Sequence, residues 1–184
     1  MTHPAMTGTA SAVRSGDWTA DPGACTLTFD VRNFGLRTVT GQIPLTSAVV
    51  HVSAGGQPEY VRAELDPGGI DTGNRRRDKD LRGRRFLATN RWPAITFEAD
   101  HIQPAETGWT VNGTLTVKDA HCLVRLQVAA PATPAGADHV ELRATGRIDR
   151  RTAGVTAAPG LVIGHQISLS LAVRLLPPAR SPRE

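Results

Sequence analysis

From Asp17 onward, apolar and polar residues alternate with a period of two, the pattern of strands with one buried face. Cys25, Leu27, Phe29 and Val31 alternate with Thr26, Thr28, Asp30 and Arg32, so one face of Cys25 to Asn33 is apolar. Leu45 to Ser53 repeats this more weakly through Ala48, Val50 and Val52, and Glu59 to Asp66 sets Val61, Ala63 and Leu65 against Tyr60, Arg62 and Glu64. Pro67-Gly68-Gly69 ends that segment with turn chemistry. The alternation returns with Ile95, Phe97 and Ala99, then with Trp109, Val111, Gly113, Leu115 and Val117. Cys122, Val124, Leu126 and Val128 follow, then Val140, Leu142, Ala144, Gly146 and Ile148. The cleanest run is the last, Ile167, Leu169, Leu171, Val173 and Leu175. With a short segment around Trp18, these make about eight strands.

Strands that are apolar on one face only predict an all-β, antiparallel sheet with one side wet. Such a sheet hides its edges by closing into a barrel or by folding into a two-layer sandwich, and alternation alone leaves both open. One stretch breaks the period. Asn74 is placed to cap a short helix through Arg75, Arg76, Arg77, Asp78 and Leu81, ending at Gly83.

At 184 residues the chain suits a single domain, expected over 16–176, with disordered segments at 1–15 and 177–184. No apolar run is long enough for a transmembrane helix. The first sixteen residues lack the basic start and apolar stretch of a secretory signal, so the expected location is the cytoplasm.

Charge adds one feature. The net charge is +4, and Lys occurs only at Lys79 and Lys118, so almost all the positive charge is Arg. It concentrates between Arg75 and Arg85, which reads either as a solvated helix or as a docking surface for an anionic head group, membrane or nucleic acid. Aromatic residues are only 4%, which argues against stacking on nucleic acid, and no nucleic-acid partner is expected.

Candidate chemistry is sparse. His3, His51, His101, His121, His139 and His165 fall in six different segments without ligand spacing, so no metal is expected. Cys25 and Cys122 lie far apart in apolar strands and read as small buried thiols. No nucleophile elbow, phosphate loop or dinucleotide fingerprint is present, so neither a cofactor nor a catalytic residue is assigned. Asp71, Asp78 and Asp80 share their segment with six arginines, where ion pairs and helix capping explain them better than an acid/base pair.

Several segments, in order, resemble the YceI-like polyisoprenoid-binding family. They are Trp18-Thr19-Ala20-Asp21-Pro22 with Leu27-Thr28-Phe29-Asp30-Val31-Arg32, and Val39-Thr40-Gly41, which resembles the turn that follows. More specific are Ile70-Asp71-Thr72-Gly73-Asn74 with Arg77-Asp78 and Leu81, then Trp92-Pro93-Ala94-Ile95-Thr96-Phe97. Gly113-Thr114-Leu115-Thr116-Val117 and Ile148-Asp149-Arg150 complete the series. The chain departs from the family pattern at Asp80, Phe86-Leu87, Asp119-Ala120-His121 and Ala153-Gly154, all at loops or rims.

The resemblance implies an eight-stranded antiparallel lipocalin-like β-barrel, with one short helix near residues 74–82 and a lumen that holds a long apolar molecule. Strands of about ten residues, tilted ~40°, give a lumen on the order of 25 Å long. The expected lining is Phe29, Val31, Phe97, Leu115, Val117, Leu142, Ile148, Ile167, Leu169 and Leu171, with Arg75, Arg77 and Arg82 as head-group candidates. The expected function is non-catalytic binding or transport of a long-chain isoprenoid, isoprenoid quinone or similar lipid, without stable membrane insertion. Monomer and homodimer both stay open. The alternative is a basic interaction module with a filled core, docking an acidic partner or nucleic acid through Arg75 to Arg85.

Overall fold

The computed structural model describes residues 14–33, 36–131, 138–157 and 163–179. Its strands are β1 (Gly16–Ala20), β2 (Thr26–Asn33), β3 (Arg37–Gln42), β4 (Leu45–Val52), β5 (Pro58–Leu65), β6 (Ile95–Ala105), β7 (Gly108–Val117), β8 (Ala120–Ala129), β9 (Val140–Asp149) and β10 (Ile163–Leu176). One α-helix, α1 (Arg75–Arg82), lies between β5 and β6. Of the two segments expected to be disordered, 1–13 and 180–184 lie outside the described residues. Residues 177–179 run without regular structure, and the Pro178 ring packs over Gly16.

Neighbouring strands run antiparallel in the order β1-β4-β5-β6-β7-β8-β9-β10, and β1 closes the ring by pairing Thr19 with Leu176 and Ala20 with Leu175 of β10. Further along β10, Ile167 to Ala172 pair instead with Val31 to Thr26 of β2. β1 and β2 are therefore two halves of one strand, interrupted by a single 3-10 turn at Pro22–Ala24. β3 and β4 are the halves of the next, since β3 pairs with β2 and β4 with β1, with Ile43-Pro44 between them. Both breaks fall at a proline, which has no N–H to give to a sheet ladder. Counted in this way, the ten segments form the closed eight-stranded antiparallel barrel that the family resemblance implied, and the sandwich left open by the alternation is excluded.

One expectation is corrected. Val39-Thr40-Gly41, read as a turn, is the middle of β3, where Val39 pairs with Val31 and Gly41 with Phe29. The signal was weak because the inward face of this strand offers a valine and a glycine, too little apolar contrast to register as an alternating strand.

The helix forms where its caps predicted. The Asn74 side chain accepts from the N–H groups of Arg76 and Arg77, and Gly83 ends the helix. Replacing Asn74 by alanine is expected to cost about 1 kcal/mol in urea unfolding, and an unchanged midpoint would contradict the cap assignment. The helix is fastened across one end of the barrel by its preceding residues. Asp71 exchanges both backbone hydrogen bonds with Gln42 of β3, at 2.8 and 3.0 Å. Asp78, only 5% exposed, accepts from the N–H and the hydroxyl of Thr72. Arg77 donates to the Thr72 hydroxyl and carbonyl, and Arg82 donates to the carbonyl of Ile70 at 2.8 Å. The Asp-Thr-Gly-Asn motif with its later Arg-Asp is thus a clamp, and Asp78 is held by a threonine rather than by the ion pair expected for it.

Candidate functional site

Within the barrel, the inward faces leave two apolar cavities arranged end to end. The one beneath α1 has a volume of about 150 Å³, and the one at the opposite end about 160 Å³. Seven of the ten expected lining residues, Phe29, Val31, Leu115, Val117, Ile148, Ile167 and Leu169, line the helix-end chamber. Phe97, Leu142 and Leu171 line the far chamber. They point inward because side chains alternate between the two faces along each regular stretch of strand, a phase that shifts at the bulges of β4, β6 and β10.

The division between the chambers comes from rings and methyls laid over glycines of neighbouring strands. A Cβ on Gly113 would lie 2.5 Å from the Phe97 ring, one on Gly41 2.3 Å from Phe29, and one on Gly146 2.7 Å from a Leu126 methyl. Each bare glycine lets the opposing side chain lie close to the wall. Trp18, Trp109, Leu126 and Val173 add to the far chamber, and Leu81 and Phe86 roof the near one. These were legible as apolar residues in phase, except Leu81 and Phe86, whose inward aim depends on how the helix is clamped.

One lining residue gave no sequence signal of its role. Arg150 borders the helix-end chamber yet is only 3% exposed. Its guanidinium donates to the carbonyls of Gly164 (3.0 Å), Val155 (2.8 Å), Ala157 (2.9 Å) and Ile163 (3.1 Å). It therefore ties the turn after β9 to the start of β10. This turn also fills a seam, because β8 and β9 pair only from Leu126–Gly146 to Val128–Ala144. Lys118 reaches across to the Gly154 carbonyl at 2.7 Å, beside the buried Cys122.

The head-group candidates separate. Among Arg75, Arg77 and Arg82, only Arg77 borders the surface depression that adjoins the helix-end chamber. Arg75 is exposed outside it, and Arg82 is engaged with Ile70. The depression is bordered instead by Arg76, Lys79, Arg84 and Arg85, and it shares Leu81, Phe86 and Ile163 with the chamber.

Several other titratable groups have structural partners. Burial pushes both thiols, Cys25 and Cys122, above their ordinary range and keeps them protonated. His51 meets Asp17 at 2.6 Å and His121 meets the Thr116 hydroxyl at 2.9 Å, both on the outer surface. Among the described residues no group of three His, Cys, Asp or Glu side chains is placed to hold a metal, and no helix is long and apolar enough to cross a membrane.

Arg151, hydrogen-bonded to Asp149, holds that carboxyl down to about 2 from an ordinary 3.8. A carboxyl depressed in the folded state contributes stability that is present above 3.8 and is lost as the pH falls toward 2. NMR titration of Asp149 should give a midpoint near 2 that moves back toward 3.8 in Arg151→Ala. An unmoved midpoint would discard this assignment.

The family model of the YceI-like domain matches residues 18–175, the whole of this barrel. The chain belongs to the YceI-like family. UPF0312 proteins of Yersinia pestis and Yersinia pseudotuberculosis are 28% identical to it over 118 residues, 62% of this chain and 61% of theirs. The match thus spans about three fifths of these relatives. Among solved structures, BcnA of Burkholderia cenocepacia superposes with a TM-score of 0.72 at 15% identity, covering 84% of this chain and 98% of that one. The YCEI protein of Campylobacter jejuni gives 0.68 at 18% identity, covering 78% and 88%. A polyisoprenoid-binding domain of Saccharophagus degradans, implicated in plant cell wall breakdown, gives 0.68 at 14% identity, covering 90% and 100%. At these identities the superpositions establish the shared YceI-like barrel.

Proposed function

We propose that this YceI-like chain binds one long apolar lipid, a polyisoprenoid, an isoprenoid quinone or a similar molecule, and carries it without changing it covalently. The observation behind this reading is the pair of carbon-lined chambers set end to end through a closed barrel. Phe29, Val31, Leu115, Val117, Ile148, Ile167 and Leu169 would hold one half of the chain, and Phe97, Leu142 and Leu171 the other. Of the original three head-group candidates only Arg77 borders the depression, with its guanidinium held on Thr72.

Magnitudes favour a long ligand. Each buried methylene contributes about 0.8 kcal/mol, whereas association costs an estimated 4–15 kcal/mol, so a chain of about ten carbons barely breaks even. The two cavities also weigh against the filled core that the alternative reading of a basic interaction module requires. Two unpaired, protonated thiols suit a reducing compartment, and the proposal places the carrier in the cytoplasm.

Native mass spectrometry of the purified protein, followed by organic extraction, tests the reading. An apolar molecule of isoprenoid mass bound one to one is the expected result. A protein that is empty as purified and also ignores added polyprenyl lipids would refute it.

A further inference from the structure

A soluble carrier of a water-insoluble molecule has to meet a membrane somewhere, and the two ends of this barrel are not equivalent. Seven basic side chains and two acids lie between Arg75 and Arg85 at the helix end. One of those acids, Asp78, is turned inward onto Thr72, so within this segment only Asp80 is exposed, with Asp66, Asp71 and Asp119 exposed elsewhere at the same end. Among the described residues, Arg76, Lys79, Arg84 and Arg85 are exposed and in no ion pair. Around the opposite mouth the strand ends carry Asp17, Glu59, Glu106, Asp138 and Glu141, which outnumber the Arg14 and Arg174 found there, with Asp17 and Asp138 meeting His51 and His139.

A second observation lies on the same rim. Leu36, at the tip connecting β2 to β3, is 92% exposed. Arg37 follows it, also exposed. The tip belongs to the helix end because Asn33, at its base, pairs with Ile163, which with Leu81 and Phe86 borders both the chamber and the basic depression. An isolated leucine thrust into water is unremarkable by itself. Beside a basic field, and at the mouth of an apolar chamber, it has the composition of a surface that rests on a bilayer, with cations over the phosphates and one apolar tip between the head groups.

We infer that the helix-end rim, made of Leu36, Arg37 and the exposed basic face of α1 and the residues after it, docks reversibly on the anionic surface of a membrane and presents the chamber mouth to the lipid phase. The acidic opposite mouth turns the molecule so that the helix end faces the bilayer. The inference rests on the carrier reading for its purpose, and its measurement is independent of cargo.

Flotation with vesicles of phosphatidylcholine, with and without roughly a third phosphatidylglycerol, tests it at salt concentrations from roughly 50 to 200 mM. Binding is expected only to the anionic vesicles and is expected to weaken as salt rises. Each basic residue near such a surface is worth about fivefold in affinity, so Arg76→Gln/Arg84→Gln/Arg85→Gln should bind on the order of a hundredfold more weakly. Leu36→Asp, which leaves the basic face intact, should lose about tenfold and keep its salt dependence.

Each variant is also titrated, without vesicles, with a fluorescent polyprenyl probe. Unchanged probe binding shows that the barrel is folded and that any loss belongs to the rim. Equal binding to neutral and anionic vesicles would overturn the inference, as would a triple variant that floats like the parent. Preferential retention on duplex DNA, with no flotation, would overturn it in favour of nucleic acid. Flotation with no probe binding would leave the membrane-docking rim standing and remove only the carrier reading.

Discussion

Arg150→Met is expected to destabilise the barrel by about 3–5 kcal/mol, the largest effect of any single substitution considered for this chain. Methionine keeps an unbranched apolar stem of similar reach, so packing against the chamber is largely preserved. What disappears is the donor set. The carbonyls of Val155, Ala157, Ile163 and Gly164 all face one guanidinium, and no neighbouring methyl can satisfy them. An unmatched buried polar group costs about 1–3 kcal/mol, and partial access of water to the turn brings the total into the stated range. Urea unfolding monitored by circular dichroism measures it, and amide exchange at Arg150 and in the first residues of β10 should accelerate alongside. A loss below about 1 kcal/mol would mean that Arg150 is incidental to the helix end.

Ala144→Trp is expected to weaken binding of a long-chain lipid by more than about 100-fold. Ala144 sits on β9 between Val128 of β8 and Leu171 of β10, and it lines the far chamber. An indole there occupies much of a cavity of about 160 Å³. Each methylene driven out of that chamber forfeits about 0.8 kcal/mol, so excluding only four or five is enough. The barrel should tolerate the change with a loss of about 1–3 kcal/mol, because the new ring enters existing space. Titration with a polyprenyl probe, paired with urea unfolding, separates the two effects. Full affinity in a folded variant would show that the far chamber holds no part of the ligand.

Strand faces were legible because a strand's side chains alternate, and a barrel turns that alternation into inside and outside except where a bulge shifts the phase, as between Glu98 and His101. This is why Leu169 and Leu171, read only as phase partners in the last strand, both reach the lumen. The helix was legible at both ends, since Asn74 and Gly83 act through neighbours a few positions away. What stayed hidden depends on partners distant in sequence. Nothing local says that Pro22–Ala24 interrupts a strand that resumes against the same β10. Gly113 read only as one position of an alternating run, and its purpose appears only when Phe97 of β6 lies over it. Arg150 entered the sequence reading only as the end of the Ile148-Asp149-Arg150 segment, because nothing local shows that the carbonyls of Val155, Ala157, Ile163 and Gly164 converge on its guanidinium. The assignment of these inward residues to two chambers follows from the same distant contacts, so alternation indicated which residues face inward but not how the lumen is divided.

Two of the three tryptophans, Trp18 and Trp109, line the far chamber, whereas Trp92 lies outside it, stacked under the Arg91 guanidinium at 5.4 Å. The molecule therefore carries a built-in optical gauge. A quinone ring that reached the far chamber would come within quenching contact of two indoles, while the third would keep emitting as an internal standard. A saturated chain in the same place would shift their emission rather than darken it. The colour and intensity of the protein's own fluorescence can thus report the chemical nature of its cargo before any label is attached.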